Sequence, residues 1–365
     1  MCSSDLFYPG PSKLYPQIEG YLQDAFHSGI LSMNHRSDAF TEILKNTIAL
    51  FREKQNIPDN YSIYFTSSAT ENWEIVAQSL TQNHSEHHYN GAFGKKWFYY
   101  TSKIVPNSSG SLFQVENTLD FDLFQLENDK NRTEFNQKRL AEAEMICLVQ
   151  NETSNGTQIK AEALQRIRNS TNALIAIDVT SSLGGIALDW TLGDVWLASV
   201  QKCLGLPSGM GILICSEKAL ERARVINDRL RYNSLLFIDD NFKDFQTHYT
   251  PNILNIYLLM RVMEQVPDIG VIDQKLKARA KELYSFFEAQ TSLKPLVKNQ
   301  EVRSDTVLAI EGEVSEIQKI KSLAKEKDII LGNGYGVWKN STFRIANFPA
   351  IDDNEVEQLK NLFTT

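Results

Sequence analysis

Cysteine is scarce in this chain: four thiols in 365 residues, Cys2, Cys147, Cys203 and Cys215, with none of the short paired spacings of a zinc site. So few and so scattered, they exclude a disulfide-built fold and suit a reducing compartment. Basic residues are in deficit as well. The formal net charge of −8 excludes the broad cationic surface that holds nucleic acid or anionic lipid, yet leaves room for a small anionic substrate at a locally cationic site. Long apolar runs are missing. No window approaches a membrane-spanning length, and the opening "MCSSDLFYPGPSKL" has neither the basic nor the apolar part of a secretion signal. A cytoplasmic protein without membrane or nucleic-acid partners is the expectation.

What is present is an ordinary globular composition, 42% apolar and 22% charged, long enough for two domains or one large α/β domain. Short aliphatic runs read as buried strands: "YSIYF" at 61–65, "MICLVQ" at 145–150, "LIAIDV" at 174–179, "VWLASV" at 195–200 and "GILIC" at 211–215. Amphipathic helical patterns such as "TEILKNTIALFREKQ" and "AEALQRIRNS" separate them. That alternation predicts a mainly parallel sheet covered on both faces, with ligands gathering at the carboxyl ends of its strands. After about residue 250 the order changes to two long helices and then intermixed strands and helices. We expect a large α/β domain at 15–250 and a smaller α+β domain at 251–365, joined by an N-terminal arm, 1–14.

Four features fall at predicted strand ends. In "FTSSATEN", Ser67, Ser68, Ala69 and Thr70 form a small hydroxyl-rich turn before a helix, a natural phosphate site. The plain alternative is that Ser68 or Thr70 simply caps that helix. In "AIDVTSS", Asp178 breaks an apolar run, and a buried carboxylate must be paired or must serve a ligand. In "NETSNGTQI", Asn151, Glu152 and Thr153 make a polar turn. In "LASVQKCLGLPSGMGILI", Lys202 stands between an apolar run and a glycine-rich turn. A phosphate cup, a carboxylate at one strand end and a lysine at the exit of the next are together what pyridoxal phosphate requires. The lysine forms a Schiff base with its aldehyde, the carboxylate holds its ring nitrogen protonated, and the helix terminus binds its phosphate.

With these residues in view, the chain resembles the class V group of fold-type I aminotransferases, most closely its phosphoserine aminotransferase branch. The likeness rests on "FYPGPSKL", "NHRSDAF", "SSATEN", "NETSNGT", "IDVTSS", "SVQKCLGLPSGMGILI" and "FRIANFP", in that order along nearly the whole chain. It implies a pyridoxal phosphate enzyme that moves an amino group between an amino acid and a 2-oxo acid. By the resemblance, Lys202 is the Schiff-base lysine, Gln201 lies beside it near the phosphate, and Asp178 pairs with the ring nitrogen. Thr153 bonds the ring's phenolic oxygen, Phe93 stacks on the ring face, and Ser68, Ala69 and Thr70 form the phosphate cup. Thr250 of "HYTPNI" reaches the cofactor of a neighbouring subunit, which makes a homodimer part of the site. Trp97 is the rival stacker, though an apolar helix residue of this kind is more often core. Arg344 clamps the substrate's α-carboxylate as a bidentate guanidinium, unless it is an interior salt bridge. His35 and Arg36 lie near the substrate's side chain, or are a surface pair in a turn.

The chain also departs from that branch. The cup segment "SSATEN" lacks the arginine usual there, and "GNGYGVWKN" replaces a second His-Arg pair, leaving Lys339 as the nearby cation. Phosphoserine with 2-oxoglutarate is the expected pair, glutamate being the amino donor. The small-residue cup also resembles alanine-glyoxylate and serine-pyruvate enzymes of the class. "IILGNGYGVW" fails as a dinucleotide fingerprint, because Val337 stands where the third glycine belongs. Cysteine desulfurase chemistry needs a late thiol, and none follows Cys215. "HSEHH" (His84, His87, His88) reads as a solvated loop rather than a metal site, and Cys203 as a packed thiol. An inactive binding scaffold is disfavoured by the joint presence of Lys202 and Asp178.

Overall fold

In a computed structural model the chain is described at residues 5–116 and 142–363; Cys2 lies outside them. The aliphatic runs become strands, and each has the β-branched, fully buried character of a sheet covered on both sides. The strands are β1 (Asp5–Phe7), β2 (Tyr61–Thr66), β3 (Ser85–Tyr89), β4 (Ser109–Leu112), β5 (Met145–Val149), the short hairpin β6 (Asn151–Glu152) and β7 (Thr157–Gln158), β8 (Leu174–Asp178), β9 (Val195–Ser199) and β10 (Gly211–Ser216). Later come β11 (Lys294–Pro295), β12 (Val307–Glu311), β13 (Ile329–Asn333) and β14 (Thr342–Ala346).

The large sheet has seven strands in the order β2-β10-β9-β8-β5-β3-β4. Pairing is parallel from β9 through β8, β5 and β3 to β4, while β10 runs antiparallel to both β9 and β2. The parallel register sets Val149 beside Asp178 and Asp178 beside Leu197, so the ends of β5, β8 and β9 open onto one edge. The helices α1 (Ile18–His27), α2 (Asp38–Gln55), α3 (Ala69–Leu80) and α4 (Ala92–Ile104) lie ahead of β5.

The strand β3 was not expected, because "SEHHY" reads as a polar loop. It is instead an interior strand paired parallel with β5 and β4. His87 and His88 are 1% and 3% exposed. The polarity of His87 is absorbed locally: it packs edge-on to Trp97 at 5.5 Å and its Nε2 lies 3.2 Å from Ser85 Oγ. Burial pushes His87 down to about 3, so the ring is a neutral core residue over the whole ordinary pH range.

A second sheet, β1-β13-β14-β12-β11, carries a separate apolar core. The arm strand β1 joins it in parallel with β13. Helix Ile253–Gln265, which follows residue 250, packs with the large sheet's core, and the two cores part inside helix Ile269–Ala289: Leu276 belongs to the first and Ala280 to the second. Among the described residues no helix is long and apolar enough to cross a membrane, and no group of His, Cys, Asp or Glu could hold a metal ion.

Candidate active site

The carboxyl edge of the large sheet opens into a cavity of about 210 Å³. Ala69, Thr70, Phe93, Thr153, Asp178, Gln201 and Lys202 all line it, together with Gly10, Trp73, Lys96, Asn151 and Ser199. Eight residues singled out in the sequence, Asn151 among them, are thus brought to one place. Ser68 sits just behind, as the cap of α3.

Each wall has a local cause. Helix α3 starts where Ser68 Oγ accepts the Glu71 N–H at 3.1 Å, while the Ala69 N–H donates to Ser199 Oγ at 2.7 Å. Asn72 ties the same turn to the sheet, its Nδ2 donating to the Ile212 carbonyl at 2.9 Å. The positive end of α3 is thereby held over the exit of β9, where an anion is favoured. The capping alternative for Ser68 and the cup reading of Ala69 and Thr70 are therefore compatible.

Asp178 ends β8 and is 4% exposed. Its Oδ1 accepts the Thr180 N–H at 2.8 Å and its Oδ2 accepts the Trp73 indole N–H at 2.9 Å. Burial raises its pKa, and the hydrogen bonds from Thr180 and Trp73 oppose that rise.

Lys202 follows β9 and is 8% exposed. Its ammonium donates to the Pro9 carbonyl of the N-terminal arm. Burial, then repulsion from Arg344, brings its pKa down to about 8. The arm is fixed against it: Ser12 N–H donates to the Gln201 carbonyl at 3.1 Å, and Gly10, at φ +124°, lies so close that a Cβ there would fall 2.4 Å from Lys202 Cε.

Phe93, in the first turn of α4, sits with its ring centroid 5.9 Å from the Lys202 ammonium. Glu152 holds that turn. The carboxylate is 1% exposed and accepts the backbone N–H groups of Gly94 at 3.1 Å and Phe93 at 3.4 Å, a favourable anion at a helix N-terminus. Thr153 Oγ1 bonds Ser181 Oγ within the wall. Trp97, the rival stacker, does not line the cavity; it is 1% exposed and stacks on Trp73 at 6.1 Å, interplanar angle 11°. Cys203 is a packed thiol whose Sγ lies 3.3 Å from the Ser181 carbonyl, and burial raises its pKa.

Arg344 lies in β14, beside the cavity rather than among its lining residues. Its Nε and Nη1 donate to the Asn333 and Thr153 carbonyls, each at 2.7 Å, and its guanidinium is 5.7 Å from the Tyr335 ring centroid. Among the described residues no carboxylate pairs with it, so it is not an interior salt bridge. His35, Arg36 and Thr250 stand apart from this cavity. Arg36 and Thr250 are exposed, His35 is partly so, and Arg36 Nη1 donates to Gln246 Oε1 at 3.2 Å, on the segment that leads to Thr250.

Sequence reasoning missed Trp73, Ser199, Gly10, Lys96 and the capping role of Glu152. Trp73 and Ser199 carried no local signal beyond a helix and a strand. Gly10, within the arm segment, becomes legible only through its approach to Lys202.

A parallel sheet with a lysine and an aspartate at the carboxyl edge, a capped helix end between them and a second small sheet, is the architecture of fold-type I transferases. A family model described as "Aminotransferase class-V" matches residues 6–359; the chain belongs to that family and, with its phosphoserine aminotransferase relatives, is an enzyme that transfers amino groups. The phosphoserine aminotransferase of Corynebacterium glutamicum (strain R) is 28% identical over 365 residues, spanning 96% of this chain and 91% of that enzyme. That of Rhodococcus opacus (strain B4) is 26% identical over 368 residues, with 96% of this chain and 91% of its own length covered. A crystal structure of a phosphoserine aminotransferase from Cytophaga hutchinsonii superposes with a TM-score of 0.90 at 29% identity, covering 100% of this chain and 99% of that one. The family implies pyridoxal phosphate, and the donor set fits it: a buried amine of lowered pKa, a buried anchored carboxylate and a helix N-terminus face one cavity.

Proposed function

We propose that this aminotransferase works on the phosphoserine and 2-oxoglutarate pair, with glutamate as amino donor and pyridoxal 5′-phosphate as cofactor, in a homodimer with shared sites. The observation that carries the cofactor assignment is the convergence of Lys202 and Asp178 on one cavity. When bound, pyridoxal phosphate supplies an electron-withdrawing ring that accepts the electron pair released at the substrate's Cα. Lys202 would bond the aldehyde and, as a free amine, would move the Cα proton as base and then as acid. Asp178 would hold a proton at the ring nitrogen, a counter-charge for the negative charge that develops in the transition state. Ser68, Ala69, Thr70 and Gln201 would hold the phosphate, Phe93 would pack on the ring, and Thr153 would bond the phenolic oxygen. Arg344 receives the α-carboxylate.

The substrate reading is supported by the named relatives, each a phosphoserine aminotransferase. Lys96, an exposed cation on the cavity wall, adds positive charge where the cup lacks an arginine. That His35, Arg36 and Thr250 do not line their own cavity supports a site completed by a second chain. The uncharged cup also favours a second reading, an alanine-glyoxylate or serine-pyruvate enzyme. A donor and acceptor screen separates the two. Phosphoserine with 2-oxoglutarate should exceed serine or alanine with pyruvate or glyoxylate in kcat/KM, and the reverse order would replace the first reading by the second. Lys202→Ala should keep the fold and lose turnover.

A further inference from the structure

Helix α3 contributes more to the cavity than the phosphate cup at its first turn. Ala69 and Thr70 open this helix at the phosphate cup, and Trp73 lies one turn further on, on the same face. Trp73 is 4% exposed and lines the cavity. Its indole N–H donates to Asp178 Oδ2 at 2.9 Å, while Oδ1 is held by the Thr180 backbone next to Asp178 itself. The ring cannot turn freely, because it is stacked against Trp97 at 6.1 Å, and Trp97 is in turn wedged edge-on by His87.

We propose that Trp73 is a positioning residue for amino transfer: its N–H fixes Asp178 as an anion at the cavity wall and ties it to the helix that forms the phosphate cup. One rigid helix then sets both the phosphate end and the ring-nitrogen end of the cofactor. The hydrogen bond is charge-assisted and buried, the setting in which a single donor matters most. Without it, burial and the nearby Glu152 carboxylate both favour a protonated Asp178, and only the Thr180 hydrogen bond is left to oppose them. A protonated Asp178 could not keep the ring nitrogen charged. This inference rests on the reading of Asp178 given above.

The test uses the holoenzyme. Trp73→Phe keeps the stacked ring and removes only the donor. It should lower kcat about 10- to 100-fold while leaving the KM for the 2-oxo acid within about twofold. The pH at which the bound cofactor's visible band changes should rise by about one unit, as expected when the ring loses positive charge. In an Asp178→Asn background, Trp73→Phe should cause no further loss, since the two groups act as one unit. Trp73→His, which restores a ring N–H, should recover part of kcat and serves if the Phe variant folds poorly. Trp97→Phe should change the melting temperature but not the band. A Trp73→Phe enzyme with unaltered kcat and band, or losses that multiply in the double variant, would overturn the proposal. If Asp178→Asn alone leaves activity intact, the reading of Asp178 falls and this inference with it.

Discussion

An amine sealed inside a protein gives up its proton more readily than one in water, because the charge has lost its solvation. Lys202 is in that position, and the nearby guanidinium of Arg344 works in the same direction. Below about pH 8 the free amine is protonated and inert; above it the amine is neutral and nucleophilic. In the cofactor-free protein, acylation of Lys202 followed by peptide mass spectrometry should titrate with a midpoint near 8, against a midpoint above 10 in the denatured chain. The same residue sets a steric limit on its neighbour. Gly10→Ala would put a Cβ 2.4 Å from Lys202 Cε at a backbone angle of +124°, so the variant should lose most of its turnover while remaining folded by circular dichroism. At this scale the sequence was informative where chemistry is unusual. A lysine before a glycine-rich turn and an aspartate ending an apolar run announce themselves. Trp73 and Glu152 do not, because an indole in an apolar helix and a carboxylate in a turn look ordinary until tertiary structure brings Asp178 to one and the α4 N-terminus to the other.

At the scale of elements, α3 is the one on which the site depends. Its first turn is fixed by Ser68, by Ser199 from β9 and by Asn72 bonded to β10. Ser68→Ala removes the side-chain cap and should reduce stability by about 1 kcal/mol in urea unfolding of the cofactor-free protein. It should also weaken binding of pyridoxal phosphate, measured by absorbance titration, because the cup's amides lose their alignment. The strands bordering this helix were legible as aliphatic runs. Strand β3 was hidden, since the period-2 and buried-run signals both depend on apolar side chains and "SEHHY" has almost none. Its His87 is buried only because Trp97, Ser85 and the neighbouring strands accept it.

For the whole molecule, the alternation of runs and helices was enough to foretell a mainly parallel sheet and a second, smaller α+β layer. The antiparallel β10 and the late parting of the cores were not legible, because both depend on how distant segments pack rather than on local pattern. The arm shows the same limit: residues next to the start of the chain supply a strand to the small sheet and a carbonyl to Lys202. His35, Arg36 and Thr250 do not line their own cavity, which accords with the dimer proposal. Thr250→Val should therefore lower cofactor affinity in a dimer, and sedimentation should show two chains per particle; a fully active monomer would remove that part of the account.

The amine at position 202 decides the rest. Borohydride reduction of the enzyme loaded with pyridoxal phosphate, followed by peptide mass spectrometry, should find the reduced phosphopyridoxyl group on Lys202 alone. Its appearance on another lysine, or on none while the enzyme turns over, would contradict the assignment.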